Sequence, residues 1–98
     1  MFYIIVSFVV TVKEFFMFSK ELFCKRLKAL RLEKKLTLEQ LGLLFDVTKQ
    51  TTSRWETGDR IPSIEILCIL ADYFNVSLDY LTGRTDEPVN PNVKNNQI

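Results

Sequence analysis

Apolar residues recur at helical spacing through the middle of the chain. In residues 19–35, Phe23, Leu27 and Leu30 lie three or four positions apart, so they share one face of a helix. The same spacing predicts four more helices, at about 38–45, 49–56, 63–74 and 78–82. The residues expected to point inward on them are Leu41, Phe45, Thr52, Trp55, Ile64, Leu67, Leu70 and Phe74. Residues 19–83 need no strand, and the pattern therefore predicts an all-α fold.

Capping residues support these helix limits. A Ser or Thr oxygen can accept a hydrogen bond from a backbone N–H at the start of a helix, and such residues precede the predicted segments: Ser19, Thr37, Thr48, Ser63 and Ser77. Thr37 and Gln40 also have the spacing of a capping box. Gly58 and Gly83 follow the third and fifth segments, where glycine commonly ends a helix in the left-handed conformation.

The second and third helices are joined by a very short turn at Asp46-Val47. Asp46 tolerates the left-handed backbone that such a turn needs, and Val47 is expected to fill the junction. Gly42, on the second helix, leaves room for the third helix to cross closely. This turn is too tight for an ordinary connection in a helix bundle.

Residues 1–18 differ from the rest of the chain. Residues 2–12 carry no charge, and Lys13 and Glu14 separate them from a second apolar run. The uncharged run is shorter than the ~20 residues of a membrane-spanning helix, although a tilted helix that includes Lys13 and Glu14 stays open, as does a strand or arm that pairs with another chain. We interpret residues 1–18 as an extension that is dispensable or a start-site artefact, with Met17 as the natural start, in preference to a membrane anchor.

Residues 84–98 are polar and contain Pro88 and Pro91. Such a composition cannot bury enough apolar surface to order the chain, so we predict a disordered tail. The chain thus divides into an apolar extension (1–18), a compact five-helix domain (19–83) and a polar tail (84–98).

Composition excludes most catalytic chemistry. The 98 residues include no His, which removes the commonest general base and the commonest metal ligand. Cys24 and Cys68 lie far apart with no C-x-x-C pattern, so we expect no metal site and no disulfide framework. Their thiols are expected to be reduced and at least half-buried. We therefore predict a small cytoplasmic binding module that needs no cofactor and is not an enzyme.

The charges are unevenly distributed, although the formal net charge is only +1. Residues 19–60 carry ten basic and six acidic side chains, whereas residues 61–98 carry two basic and five acidic ones. A basic half next to an acidic half suggests a surface that faces a polyanion, but charged helix faces are common in any soluble domain. Charge alone does not separate these two interpretations.

The spacing of residues in the third helix predicts which of its side chains face solvent. Thr52 and Trp55 are spaced to face the core, which turns Lys49, Gln50, Ser53 and Arg54 outward. A helix that presents long hydrogen-bond donors at its exposed N-terminal end can enter the major groove of DNA.

Residues 19–83 resemble the lambda-repressor-like, Cro/CI-type (Xre) helix-turn-helix family. The matching residues are Leu27, Leu30, Arg31, the run 37–41, Val47, the run 54–58, Pro62 and the run 76–83. They cover about two thirds of the chain with their spacing preserved. The chain departs from the family at two positions, because members usually have Ala where this chain has Gly42 and often have Gly where it has Asp46.

The resemblance implies a role for each matching residue. Helix 49–56 would be the recognition helix, with Lys49, Gln50, Arg54 and Thr51 as base-contacting residues, although local packing accounts for Thr51 equally well. The implied phosphate contacts are Thr37, Thr48, Ser53 and Arg60, with Lys34 and Lys35 as secondary candidates. Arg31 and Glu56 would form a structural ion pair that ties the first helix to the end of the third.

The function implied is a sequence-specific transcriptional regulator, a repressor, that binds double-stranded DNA as a homodimer. Apolar residues near the last helix, Leu78, Tyr80 and Leu81, are the expected dimer contacts. The alternative is an antitoxin that represses its own operon and binds a toxin protein. A membrane-associated or self-assembling module that depends on residues 1–18 ranks below both.

Overall fold

The computed structural model describes residues 18–89. The predicted extension 1–18 lies outside this range except for Phe18, and so do residues 90–98 of the predicted tail. The described part contains five helices and no strand: α1 (Lys20–Glu33), α2 (Leu38–Leu44), α3 (Lys49–Thr57), α4 (Ile64–Tyr73) and α5 (Leu78–Leu81). The all-α prediction is confirmed, and every helix begins and ends within two residues of its expected limits.

Each helix begins at a Ser or Thr with extended backbone. The side-chain oxygen of this residue accepts a hydrogen bond from the backbone N–H three positions later, as the sequence predicts for Ser19, Thr37, Thr48, Ser63 and Ser77. The capping box is complete, since the Gln40 amide oxygen accepts from the Thr37 N–H at 2.8 Å. These caps satisfy N–H groups that would otherwise lack partners at the helix starts.

Three of the four connections between helices have the same design, which we call the αL connector. One residue with a positive φ is followed by an apolar residue and then by the cap of the next helix; the positive-φ residues are Lys35 (59°), Asp46 (56°) and Asn75 (58°). In each case the apolar residue donates its N–H back to a carbonyl five residues earlier: Leu36 to Arg31, Val47 to Gly42 and Val76 to Ala71. The left-handed conformation expected at Asp46 is confirmed. Lys35 was not expected to adopt it.

Gly42 permits the close approach of α2 and α3. A Cβ atom at this position would lie 2.6 Å from the Val47 carbonyl oxygen and 3.3 Å from the Thr48 carbonyl oxygen. Real Cβ atoms do not approach backbone oxygens that closely, so the junction has its observed geometry because the side chain is a hydrogen atom. This agrees with the close crossing predicted at this position.

The core is formed by residues of all five helices and of the connector before α5. Its buried apolar members are Phe23, Leu27, Leu41, Trp55, Leu67, Leu70, Ala71, Phe74, Val76 and Leu81. Trp55 is buried, and its ring meets Phe45 edge-on with 6.2 Å between centroids. The expectation that Ile64 faces inward is wrong, because Ile64 is 66% exposed. The stripe of α4 that packs on the core is formed by Leu67, Leu70 and Ala71 instead.

Residues 84–89 differ from the expected disordered tail. The Arg84 and Thr85 N–H groups donate to the Asp79 carbonyl, and the Ser77 N–H donates to the Pro88 carbonyl at 3.1 Å. Arg26 of α1 holds the same segment, because its guanidinium donates to the carbonyl of Thr85 at 2.8 Å and to the carboxylate of Asp86 at 2.8 Å. Residues 84–89 are therefore attached to the helical domain.

The two cysteines have different environments. Cys24 is half-buried as expected, and its thiol donates to the Trp55 carbonyl at 3.3 Å. Burial is the main reason why the pKa of the Cys24 thiol is raised above its ordinary value. Cys68 is exposed, so the expectation that it would be at least half-buried is wrong. It lies on the solvent side of α4, away from the stripe that packs on the core.

Candidate nucleic-acid interface

The rotation of α3 about its own axis is fixed by two buried side chains. The Thr52 hydroxyl is fully buried and donates to the Leu38 carbonyl of α2 at 2.8 Å. Trp55, three residues later, inserts into the core. Because Thr52 and Trp55 face inward, the opposite side of α3 must face solvent.

Three long polar side chains occupy that opposite side. Lys49, Gln50 and Arg54 are all exposed, and together we call them the α3 edge. Ser53, half-buried, lies between Lys49 and Thr57 at helical spacing. Thr57 is also exposed on this side, with its hydroxyl directed to the Arg54 carbonyl at 3.2 Å. The expected outward residues thus lie together, with Thr57 as an additional one.

The α3 edge carries positive charge that no exposed carboxylate on α3 offsets. Glu56, the acidic residue of this helix, is held by Arg31 of α1 in a two-point ion pair, with Nε–Oε2 at 2.6 Å and Nη2–Oε1 at 3.1 Å. The two side chains are only 10% and 7% exposed. The carboxylate is therefore turned away from the solvent side of α3, which presents Lys49 and Arg54 alone as charges.

Thr51 lies one helical turn before Arg54 and takes part in the cap of α3. It is half-buried, and its hydroxyl lies 3.1 Å from the hydroxyl of the cap residue Thr48. Its backbone N–H donates to the same Thr48 oxygen at 3.2 Å. Thr51 thus contributes to the first turn of α3 through its two contacts with Thr48.

A groove of about 700 Å³ lies beside the N-terminal end of the α3 edge. It runs between the end of α1 and the starts of α2 and α3, and its walls are formed by Arg31, Leu32, Lys35, Leu36, Thr37, Leu38, Glu39 and Lys49. The left-handed conformation of Lys35 places this basic residue in the same groove as Thr37 and Lys49. Arg60 lies beyond the other end of α3 and is exposed.

Thr57, Lys35 and Arg26 have structural roles that the sequence analysis did not assign. Thr57 was detectable, because it follows Ser53 by four residues and therefore lies on the same helix side. The left-handed conformation of Lys35 was not predictable, since nothing in its residue type favours a positive φ. Arg26 contacts residues more than fifty positions away, and no local pattern reveals such a contact.

Two kinds of structure are absent from residues 18–89. No helix there is both long and apolar enough to cross a membrane. Nor do three or more His, Cys, Asp or Glu side chains in this range come together in a way that could hold a metal ion.

Comparison with known proteins places the helical domain among regulators. Residues 27–81 match the family model described as "Helix-turn-helix". An uncharacterized HTH-type transcriptional regulator of Bacillus subtilis, YobD, is 39% identical over 67 residues, which cover 68% of this chain and 60% of YobD. The HTH-type transcriptional regulator AnsR of the same organism is 41% identical over 59 residues, which cover 60% of this chain and 51% of AnsR.

A further relative is named an activator. The HTH-type transcriptional activator BcrR of Enterococcus faecalis is 37% identical over 59 residues, which cover 60% of this chain and 29% of BcrR. The chain thus spans between 29% and 60% of the length of these three relatives. No solved structure shows a significant match.

Proposed function

The chain belongs to the Cro/CI-type helix-turn-helix family of transcription regulators, and we propose that it binds double-stranded DNA by inserting α3 into the major groove. The observation that carries this proposal is the orientation of α3. Lys49, Gln50 and Arg54 project into solvent while Thr52 and Trp55 fix the helix from the inside. A helix held in this way can approach base edges without any rearrangement of the domain.

The α3 edge has the chemistry of base recognition. Lys49 and Arg54 can donate to O6 and N7 of guanine, and the Gln50 amide can pair with N6 and N7 of adenine. A good two-point contact of this kind contributes ~1–3 kcal/mol of discrimination between bases. Thr51 completes the proposed set, but it contacts a base only if its methyl group reaches a thymine past Thr48.

Phosphate contacts would fix the register of α3 in the groove. We assign them to Thr37, Thr48, Ser53 and Arg60. Thr48 caps α3, whose first N–H groups form the positive end of a helix. Thr37 shares its groove with two lysines, and Arg60 is exposed beyond the far end of α3. The contacts therefore flank the α3 edge on both sides.

We further propose that the protein acts in the cytoplasm as a homodimeric repressor. Occupation of a promoter is sufficient to exclude other proteins from it, so repression requires nothing beyond DNA binding. Two copies on half-sites ~34 Å apart would contact one face of the duplex. The name of BcrR contains the word activator, and a promoter–reporter assay with and without the protein decides between the two outcomes.

The experiment that tests DNA binding is selection of bound duplexes from a random pool with the full chain, followed by footprinting. Lys49→Ala, Gln50→Ala and Arg54→Ala are expected to relax the base preference at one position each. Arg60→Ala is expected to weaken binding to every sequence and to lower the slope of log K against log[salt] by ~1. Arg84→Ala is the matched control, because it removes one exposed positive charge from the segment that follows α5.

Two results would contradict the proposal. One is the absence of any enriched sequence. The other is an unchanged sequence preference in all three variants of the α3 edge. Copurification with a toxin protein that competes with DNA would support the antitoxin alternative over a stand-alone repressor.

A further inference from the structure

The residues expected to join two copies of the chain are engaged within one copy. Leu81 is fully buried in the core. Leu78 and Tyr80 pack against the same core, and the Arg26 guanidinium lies over the Tyr80 ring at 4.1 Å from its centroid. The last helix therefore offers little free apolar surface for a second copy.

Exposed apolar side chains are found on α1, α2 and α4 and on the loop before α4, and those of α4 and its loop follow the end of α3 most closely along the chain. Ile64 and Cys68 are one turn apart on the solvent side of α4, and Ile61 precedes them at 42% exposure. We call these three residues the α4 strip. It begins four residues after α3 ends, so it is joined to the recognition helix by a short loop.

Opposite charges stand at the two ends of the strip. Arg60 directly precedes Ile61, and Asp72 follows Cys68 by one helical turn. Both side chains are exposed, and neither takes part in an ion pair within residues 18–89. Arg60 thus supplies a positive charge at the beginning of the strip, next to the exposed carboxylate of Asp59, and Asp72 supplies a negative charge at its end. The exposed carboxylate of Glu65 lies beside Ile64.

We propose that the α4 strip is the surface through which two copies of this chain pair, with the two α4 helices antiparallel about a two-fold axis. A two-fold interface brings the same patch of each copy together, so it must be self-complementary. Antiparallel pairing centred between Ile64 and Cys68 meets this condition. It places Ile64 of each copy on Cys68 of the other and Arg60 of each copy near Asp72 of the other.

This inference rests on the proposed function, since a pair of recognition helices is useful only on a DNA site with two halves. A stable free dimer buries ~800 Å² on each partner, and three side chains with their neighbours supply less than that. The pair therefore forms weakly in solution and firmly on DNA, where binding of one copy raises the effective concentration of the next. Arg60 can serve both contacts, because a guanidinium carries five donors.

The test is sedimentation equilibrium of the full chain without DNA, over a range of protein concentrations. Ile64→Ser is expected to weaken self-association ~10-fold or more, because it removes the largest apolar contact of the strip. Leu43→Ser is the matched control, since Leu43 is more exposed, at 75%, but lies on α2 outside the strip. Neither substitution touches the core, and unchanged unfolding by Trp55 fluorescence verifies this for both.

A charge exchange gives the second arm of the test. Arg60→Glu and Asp72→Lys, made singly, are each expected to weaken self-association, and the double variant Arg60→Glu/Asp72→Lys is expected to restore it. Failure of the double variant to restore the dimer overturns the antiparallel arrangement. Self-association that persists in all the variants also overturns the proposal and points to residues 1–17 as the cause.

DNA binding separates this proposal from the proposed function. With a selected duplex, Ile64→Ser should abolish cooperativity between two half-sites while the affinity for one half-site stays at the wild-type value. Normal self-association without any DNA binding would reject the proposed function and keep the α4 strip. Normal DNA binding whose cooperativity is unaffected by Ile64→Ser would reject the α4 strip as the dimer surface and keep the proposed function.

Discussion

Arg31 joins the first helix to α3 through Glu56 and to the α1–α2 connector through Leu36. Its guanidinium donates Nε and Nη2 to the two carboxylate oxygens of Glu56 and Nη1 to the Leu36 carbonyl at 2.7 Å. Three parts of the domain therefore meet at one side chain. The contact fixes the C-terminal end of α3, just as the cap at Thr48 fixes its beginning.

Arg31→Ala is expected to lower the free energy of unfolding by about 3 kcal/mol or more, because it leaves the Glu56 carboxylate buried without its partner. Urea unfolding followed by Trp55 fluorescence measures the change. Glu56→Gln is the comparison, since its amide keeps the shape and one acceptor, and we expect it to cost less. A loss under ~1 kcal/mol for Arg31→Ala would show that the pair is solvated and structurally unimportant.

Lys35→Gly is expected to stabilise the domain by about 0.5–1 kcal/mol. A non-glycine residue with positive φ is strained by about 1–2 kcal/mol, and the gain is partly offset by the greater freedom of glycine in the unfolded chain. Asn75→Gly is the matched control at the same place in another αL connector, and it should gain less because Asn tolerates this conformation. Equal gains at both positions would contradict this explanation.

Arg26→Ala is expected to release residues 84–89 from the domain. Amide hydrogen exchange at Thr85 and Ser77 should become at least ~10-fold faster, because a hydrogen bond to a charged group contributes about 1.5–3 kcal/mol. Lys25→Ala is the control, since Lys25 is exposed and forms an ion pair with Glu21 on the same helix. Unchanged exchange in Arg26→Ala would mean that backbone contacts alone hold the segment.

The two thiols are expected to react at different rates with an alkylating reagent. The thiolate is the reactive form, and the raised pKa of Cys24 keeps a smaller fraction of it ionised at pH 8. Cys68, which is exposed, should be modified first, and Cys24 should catch up as the pH rises. Peptide mass mapping at several times measures both rates. In denaturant the two rates should become equal, and a difference that persists there would refute the structural cause.

Local chemistry made much of the fold predictable. Helix starts follow from the hydroxyl residues Thr37 and Thr48, and the turn conformation follows from Asp46, because each effect acts within a few residues. Thr52 and Trp55 set the orientation of α3 through their spacing alone. For this reason the exposure of Lys49, Gln50 and Arg54 was predictable from the sequence.

Other features depend on contacts that spacing does not encode. Ile64 has the spacing of an apolar stripe on α4. Periodicity does not show how much of such a stripe is buried by the rest of the protein, and here Ile64 is left exposed. The attachment of residues 84–89 depends on Arg26, which is distant along the chain. Disorder was predicted for this segment from its low content of apolar residues. Composition gives no information about the hydrogen bonds that the Arg26 guanidinium donates to it.

The short αL connectors and the fixed ends of α3 together mean that the proposed recognition surface is preorganised. Little conformational entropy of the protein remains to be lost when DNA binds, so the free energy of contact is available for affinity. The heat-capacity change of binding should accordingly match the area of the interface alone, with no contribution from coupled folding.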